Sequence, residues 1–154
     1  MTEVFISEKG SELWEKTIAF AENCSWRAGT ELARLMREEA FHGFERVFTA
    51  VEGGNIAGFC TLTEKDELPP DSPYTPFIGF IFVDESFRGR RISEQMIRKA
   101  VSYAGENGFD KVYLMSGEVG LYEKYGFTKI GDFGTIYGDT DQLFFIDVPE
   151  DVLQ

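Results

Sequence analysis

FIGFIFVDESFRGRRISEQMIRKAVSYAGENGFDKVYLMS, residues 77–116, runs from a strand through a helix into a second strand. FIGFIFV is apolar on both faces, the pattern of a central strand rather than an edge. Ile92, Met96, Ile97, Ala100, Val101 and Ala104 then recur at helical spacing as far as Gly105 and Gly108. KVYLMS is apolar again. Two strands joined by such a helix lie parallel in one sheet.

Outward from this unit the pattern changes. Residues 11–24 and 28–40 carry apolar side chains at helical spacing, with Leu13, Thr17 and Phe20 on one stripe and Leu32, Leu35 and Met36 on the other. The chain is therefore expected to open with two helices. RVFTAVE and IAGFCTLTE flank Gly53-Gly54-Asn55, residues that accept the positive φ of a tight hairpin. KDELPPDSPYTP holds four of the five prolines and reads as a loop long enough to be functional. A short helix over 119–125 stops at Gly126, and FTKIGDF and QLFFIDV read as two further strands. No repeat, linker or change of composition divides residues 1–154, so a single α/β (α+β) domain is expected.

The chain is 154 residues long, 43% hydrophobic and 15% aromatic, which is the composition of a folded domain. It has no run of about 18 apolar residues and no basic-then-apolar leader, so no membrane partner is expected and the cytoplasm is the expected location. Cys24 and Cys60 have neither disulfide-scaffold density nor metal-ligand spacing and read as packing residues; His42 stands alone. No metal is expected.

Net charge is −12, yet residues 88–99 hold Arg88, Arg90, Arg91, Arg98 and Lys99 against the single acid Glu94. Beyond Lys129 there is no basic residue at all. Nucleic acid would need an extended basic surface, so no nucleic-acid partner is expected, whereas one small positive spot suits a small anion. The spot falls where a strand hands over to a helix. There, up to four backbone N–H groups lack helical partners and the helix dipole adds positive charge. The competing reading is a solvated turn that serves surface ion pairs.

VDESFRGRRIS resembles the signature of the GNAT superfamily of acyl-CoA N-acyltransferases, Gln/Arg-x-x-Gly-x-Gly/Ala at a strand-to-helix turn. Arg88 fills the first position; Arg91 stands where the family has glycine, and Ser93 where it has glycine or alanine. Ser93 can also cap the helix. LYEKYGF, residues 121–127, is similar to the family's Tyr-x-x-x-Gly-Phe element. The resemblance spans roughly residues 44–133. It implies a mixed, mostly antiparallel sheet with flanking helices, whose fourth and fifth strands, here FIFV and YLMS, form the parallel pair and splay apart.

The function so implied is transfer of an acetyl group from acetyl-CoA to a primary amine of a small molecule or peptide by direct attack. Arg88, Gly89, Arg90, Arg91, Ile92 and Ser93 would hold the pyrophosphate, and the backbone of Phe82 and Val83 the pantetheine arm, with Ser116 beside it. Tyr122 would protonate the leaving thiolate; from spacing alone it is a packing aromatic. The amine must lose a proton, since at a pKa of about 10.4 only about one part in 2,500 is neutral at pH 7. The strand carries no acid, and Asp84, Glu85 and Glu118 are candidates only by nearness in sequence, so the base is unassigned. Glu67, Asp71, Asp139 and Asp141 are expected to attract a cationic acceptor. A homodimer is compatible with this reading. The alternative is a non-catalytic coenzyme A sensor or interaction module, favoured by Arg91, Ser93 and the missing strand acid.

Overall fold

The computed structural model describes residues 1–153. The chain runs β1 (Thr2–Ser7), α1 (Glu12–Asn23), α2 (Ala28–Arg37), β2 (Arg46–Glu52), β3 (Asn55–Thr63), β4 (Phe77–Val83), α3 (Ile92–Glu106), β5 (Lys111–Ser116), α4 (Leu121–Lys124), β6 (Thr128–Gly134), β7 (Thr140–Asp147) and α5 (Glu150–Leu153). The seven strands form one sheet in the order β1-β2-β3-β4-β5-β7-β6, and β4 with β5 is its parallel pair. This is the expected mixed architecture, with β4 at the centre and its two apolar faces covered.

Each face has its own helical cover. The predicted stripe of α3 is buried against Phe48, Leu62, Ile78 and Leu114. On the other face α1 and α2 enclose Val47, Phe59 and Phe82. Ser11 fixes the start of α1, its Oγ accepting from Trp14 N–H at 3.1 Å. The Gly53-Gly54 turn has φ of 60° and 82°, which sets Glu52 opposite Asn55.

The chain does not open with a helix. Thr2–Ser7 pairs antiparallel with β2 along its whole length, as an edge strand. Its pattern was ambiguous because apolar residues sit on both faces: Val4 and Ile6 pack on the α3 side, while Phe5 is 39% exposed. The buried stripe of α1 is Trp14, Thr17, Ile18 and Ala21, one residue round from the expected Leu13, Thr17 and Phe20. The terminal helix α5 also went unread.

One irregularity positions the site. Between β3 and β4 the register passes from Thr61↔Gly79 to Phe59↔Phe82, so Phe80 and Ile81 together oppose Cys60, and Phe80 takes φ of 47°. Such a bulge bends the strand that carries it. β4 and β5 pair only at Phe77↔Tyr113 and Ile78↔Leu114, although both strands continue beyond. A gap opens there. Because Asp84 N–H donates to Ala57 C=O at 2.7 Å, strand alternation turns the backbone of Phe82 towards β3 and that of Ile81 and Val83 towards the gap. The expectation for Phe82 is thus corrected: Ile81, not Phe82, joins Val83 in turning its backbone towards the gap.

The line of β4 beyond the bulge depends on Gly58, where an added Cβ would lie 2.3 Å from the Phe82 carbonyl oxygen. Gly58→Ala should cost about 1–3 kcal/mol in urea unfolding, the usual range for overpacking.

Candidate active site

Three cavities follow the gap in series and share walls. The first, about 260 Å³, lies at the start of α3 and is bounded by Val83, Arg88, Gly89, Arg91, Ser93 and Tyr125 among others. The second, about 450 Å³, shares Val83 and Arg88 with the first and extends past Phe82 to Ser116 and Tyr122. A third of about 360 Å³ shares Trp26, Ile81, Ser116 and Tyr122 with the second and reaches Glu31, Asp66, Glu67, Gly79 and Phe80. Tyr122 therefore stands at the junction between a basic end and an acidic end.

At the basic end the backbone is prepared for an anion. Arg91, the residue before α3, caps the helix with no side-chain hydrogen bond and adopts φ of 57°. The first N–H groups of α3 thus have no side-chain cap, in a cavity whose rim carries Arg88 and Arg91. The positive φ also explains why glycine suits this position. Ser93 is not a cap: its hydroxyl lies 2.8 Å from that of Tyr125, tying α3 to the end of α4. Ile92 is buried, so it offers only its backbone.

The three arginines of the turn divide. Arg88 stays on the gap, its Nε donating to Val83 C=O at 3.0 Å and its guanidinium 5.9 Å from the centre of the Phe82 ring. Arg91 borders the first cavity but bonds Glu94 at 2.6 Å, and Arg98 bonds the same carboxylate at 2.7 Å. These partners hold Glu94 below the usual carboxylate range. Arg90 turns away, paired with Glu52 and stacked over Phe87, and lines none of the three cavities.

Tyr122 is 6% exposed and ringed by Tyr125, Phe127 and Phe144 with centroids about 6 Å away. Burial pushes its hydroxyl up to about 12, with Ser116 opposing the shift, so it remains protonated at neutral pH. Ser116 itself accepts from Glu118 N–H at 3.0 Å through Oγ.

At the acidic end, burial first and then the charge of Asp141 lift Asp66 to about 6. Glu67 is raised too, by burial, by a hydrogen bond with Asp141 and by the charges of Asp66, Asp141 and Asp139. Among the described residues no group of three or more such side chains is arranged to hold a metal. Of the acids expected at the acceptor end, Glu67 lines the third cavity, Asp139 and Asp141 stand behind it, and Asp71 borders none of the three cavities. Asp66 was missed. It follows Lys65 at the start of a proline-rich loop, and only the fold reveals that the loop returns over Gly79.

A model of the acetyltransferase (GNAT) family matches residues 13–127. Among solved structures, an acetyltransferase of the GNAT family from Streptococcus pneumoniae has a TM-score of 0.68 at 15% identity, covering 97% of this chain and 100% of that one. An aminoglycoside 6'-acetyltransferase type Ii reaches 0.72 at 14% identity, with 96% and 97% covered. An aminoglycoside 6'-N-acetyltransferase complexed with coenzyme A reaches 0.69 at 13%, again with 96% and 97% covered. At these identities the likeness is one of fold. No curated protein sequence matches the chain.

The raised pKa of Asp66 gives a stability test. Its folded value exceeds its usual 3.8, so the fold favours the protonated form. That contribution is fully present below about pH 4 and is lost as pH rises through about 6. Asp66→Asn does not titrate. Relative to the parent it should gain stability between these pH values, by at most about 3 kcal/mol, as read from denaturant midpoints.

Proposed function

The chain belongs to the acetyltransferase (GNAT) family, and we propose that it transfers the acetyl group of acetyl-CoA to a primary amine entering from the acidic cavity. The family transfers acetyl groups; the acceptor class is our own reading. The observation that carries it is the series of joined cavities, with uncapped helix N–H groups and Arg88 at one end, carboxylates at the other and Tyr122 between.

Each part of the gap has a task. The α3 N–H groups, with Gly89 allowing close approach at φ of 83°, would accept a pyrophosphate, and Arg88 would add charge-assisted bonds. Arg91 joins them once it leaves Glu94. Ile81 and the Val83 N–H would pair with an amide-bearing arm as a missing strand would, and the Val83 C=O would do so on releasing Arg88 Nε. The coenzyme A held by one neighbour of this fold is consistent with such use of the groove.

Acetyl-CoA supplies an activated acyl carbon and a thiolate leaving group. Tyr122, protonated and beside Ser116, would give the sulfur its proton. Its high pKa prevents loss of that proton to bulk solvent at neutral pH. The acids at the far end favour a cationic acceptor over a neutral one.

Acetyl-CoA at millimolar concentration should raise the melting temperature, and Arg88→Ala should reduce that rise. Tyr122→Phe should bind coenzyme A like the parent but release thiol about 10²-fold more slowly, within the range for loss of a general acid. Thiol release measured over a panel of amines separates the two readings: none at all, with the melting shift intact, would leave a coenzyme A-binding module.

A further inference from the structure

The groups assigned so far deliver a proton to sulfur but remove none from the amine. Of the acids near the site in sequence, Asp84 accepts from Ser86 N–H and Oγ and Glu85 is exposed on a 3-10 turn, and neither lines the acceptor cavity. Glu118 is exposed at the rim of the middle cavity. A different pair of oxygens converges where the gap begins. Asp66 Oδ2 lies 3.4 Å from the point a Cβ on Gly79 would occupy, and Thr61 Oγ1 lies 3.5 Å from the same point.

Gly79 directly precedes the bulge, and Asp66 lines the third cavity beside it, whereas Thr61 lines none of the three cavities. Thr61 is 1% exposed, and its Oγ1 has no hydrogen-bond partner. Among the described residues the Asp66 carboxylate likewise has no hydrogen bond or ion pair; its surroundings contribute only burial and the charge of Asp141. Sunken acceptors without donors are costly to a fold. A ligand N–H in the third cavity would satisfy the Asp66 carboxylate.

We propose that Asp66 is the base that deprotonates the acceptor's ammonium group; this rests on the acetyl-transfer reading above. An ammonium proton passes to the Asp66 carboxylate, which frees the nitrogen lone pair. That pair forms the new C–N bond to the acetyl carbon as the C–S bond breaks, and the sulfur takes the Tyr122 proton. Tyr122 is restored by the second proton shed from nitrogen, and Asp66 releases its own to solvent, so the sum is amide, free thiol and one proton.

The groups facing Asp66 are acids or phenols: Glu67 beside it, Asp141 on β7, Asp139 in the β6–β7 turn, Glu31 on α2, and Tyr122 and Tyr137 along the cavity. They draw an ammonium in. Burial first, and then the charge of Asp141, raises the basicity of Asp66 towards that of the amine, which narrows the step between them.

The test compares ethylamine with 2,2,2-trifluoroethylamine, two acceptors of one skeleton, the second of which is mostly neutral at physiological pH and needs no base. Thiol release from acetyl-CoA is followed for the parent, Asp66→Asn and Asp66→Glu. Asp66→Asn should lose about 10²-fold in kcat/KM with ethylamine and little with the fluorinated amine, and above about pH 6, where the parent's ethylamine profile levels off, the variant's should keep rising with the neutral fraction of the amine. Asp66→Glu, which keeps a carboxylate, should recover part of the ethylamine rate. An equal loss with both amines, or no loss with either, would overturn the assignment while leaving acetyl transfer in place. A parent that binds acetyl-CoA yet acetylates neither amine would overturn both. The melting shift given by coenzyme A checks that each variant is folded.

Discussion

β4 cannot remain hydrogen-bonded to β5 past Ile78, and the rest of the site is a consequence of that failure. Phe80 takes a left-handed conformation, two residues of β4 face one of β3, and the strand leans away from its parallel neighbour. Unpaired backbone in a sheet interior is unfavourable unless something else satisfies it. The fold keeps the irregularity in place by packing around it. Phe59, Phe82 and Trp26 stack on one side, with the Trp26 and Phe82 rings 5.9 Å apart and nearly parallel, and the α3 core holds the other. Two rigid layers thus hold open a slot that a regular sheet would close.

The same logic governs charge. A cluster of arginine in a protein of net charge −12 would be expected to find carboxylates, and it does: Glu52 takes Arg90, and Glu94 takes both Arg91 and Arg98. In each pair the guanidinium is more than half exposed while the carboxylate is largely buried, so solvent can draw the arginine away more easily than the acid. A pyrophosphate that met the helix N–H groups as well would outcompete them, so Glu94 stores Arg91 next to the site without locking it there. Arg88 needs no such release, being held by a neutral carbonyl. At the opposite end Glu31 is paired with Arg34, but among the described residues Asp66 and Glu67 have no cationic partner, and burial together with the neighbouring acids raises both. The molecule is basic where an anion would lie and acidic where an amine would enter.

Much of this was legible in the chain itself. The strand, helix and strand of residues 77–116 follow from apolar periodicity, the Gly53-Gly54 hairpin from its turn residues, and the place of Tyr122 from LYEKYGF. What escaped reading was whatever depends on contacts distant in sequence. β1 is an edge strand with apolar residues on both faces, so its six residues lack a clean alternation. The bulge at Phe80 carries no glycine or proline to announce it, since Gly79 precedes it and keeps negative φ. The signature marks Arg88 but does not say where Arg90 points; the nearness of Glu52, 38 positions away, draws Arg90 off the gap. Asp66 belongs to the same class, because the return of the proline-rich loop over β4 is a tertiary event.

The most direct measurement is a crystal structure of the protein with coenzyme A bound. It should show the pyrophosphate on the N–H groups at the start of α3, the pantetheine amides bonded to the backbone of Ile81 and Val83, and the sulfur beside the Tyr122 hydroxyl. Coenzyme A found elsewhere on the surface, with the space between β4 and β5 left empty, would contradict the account.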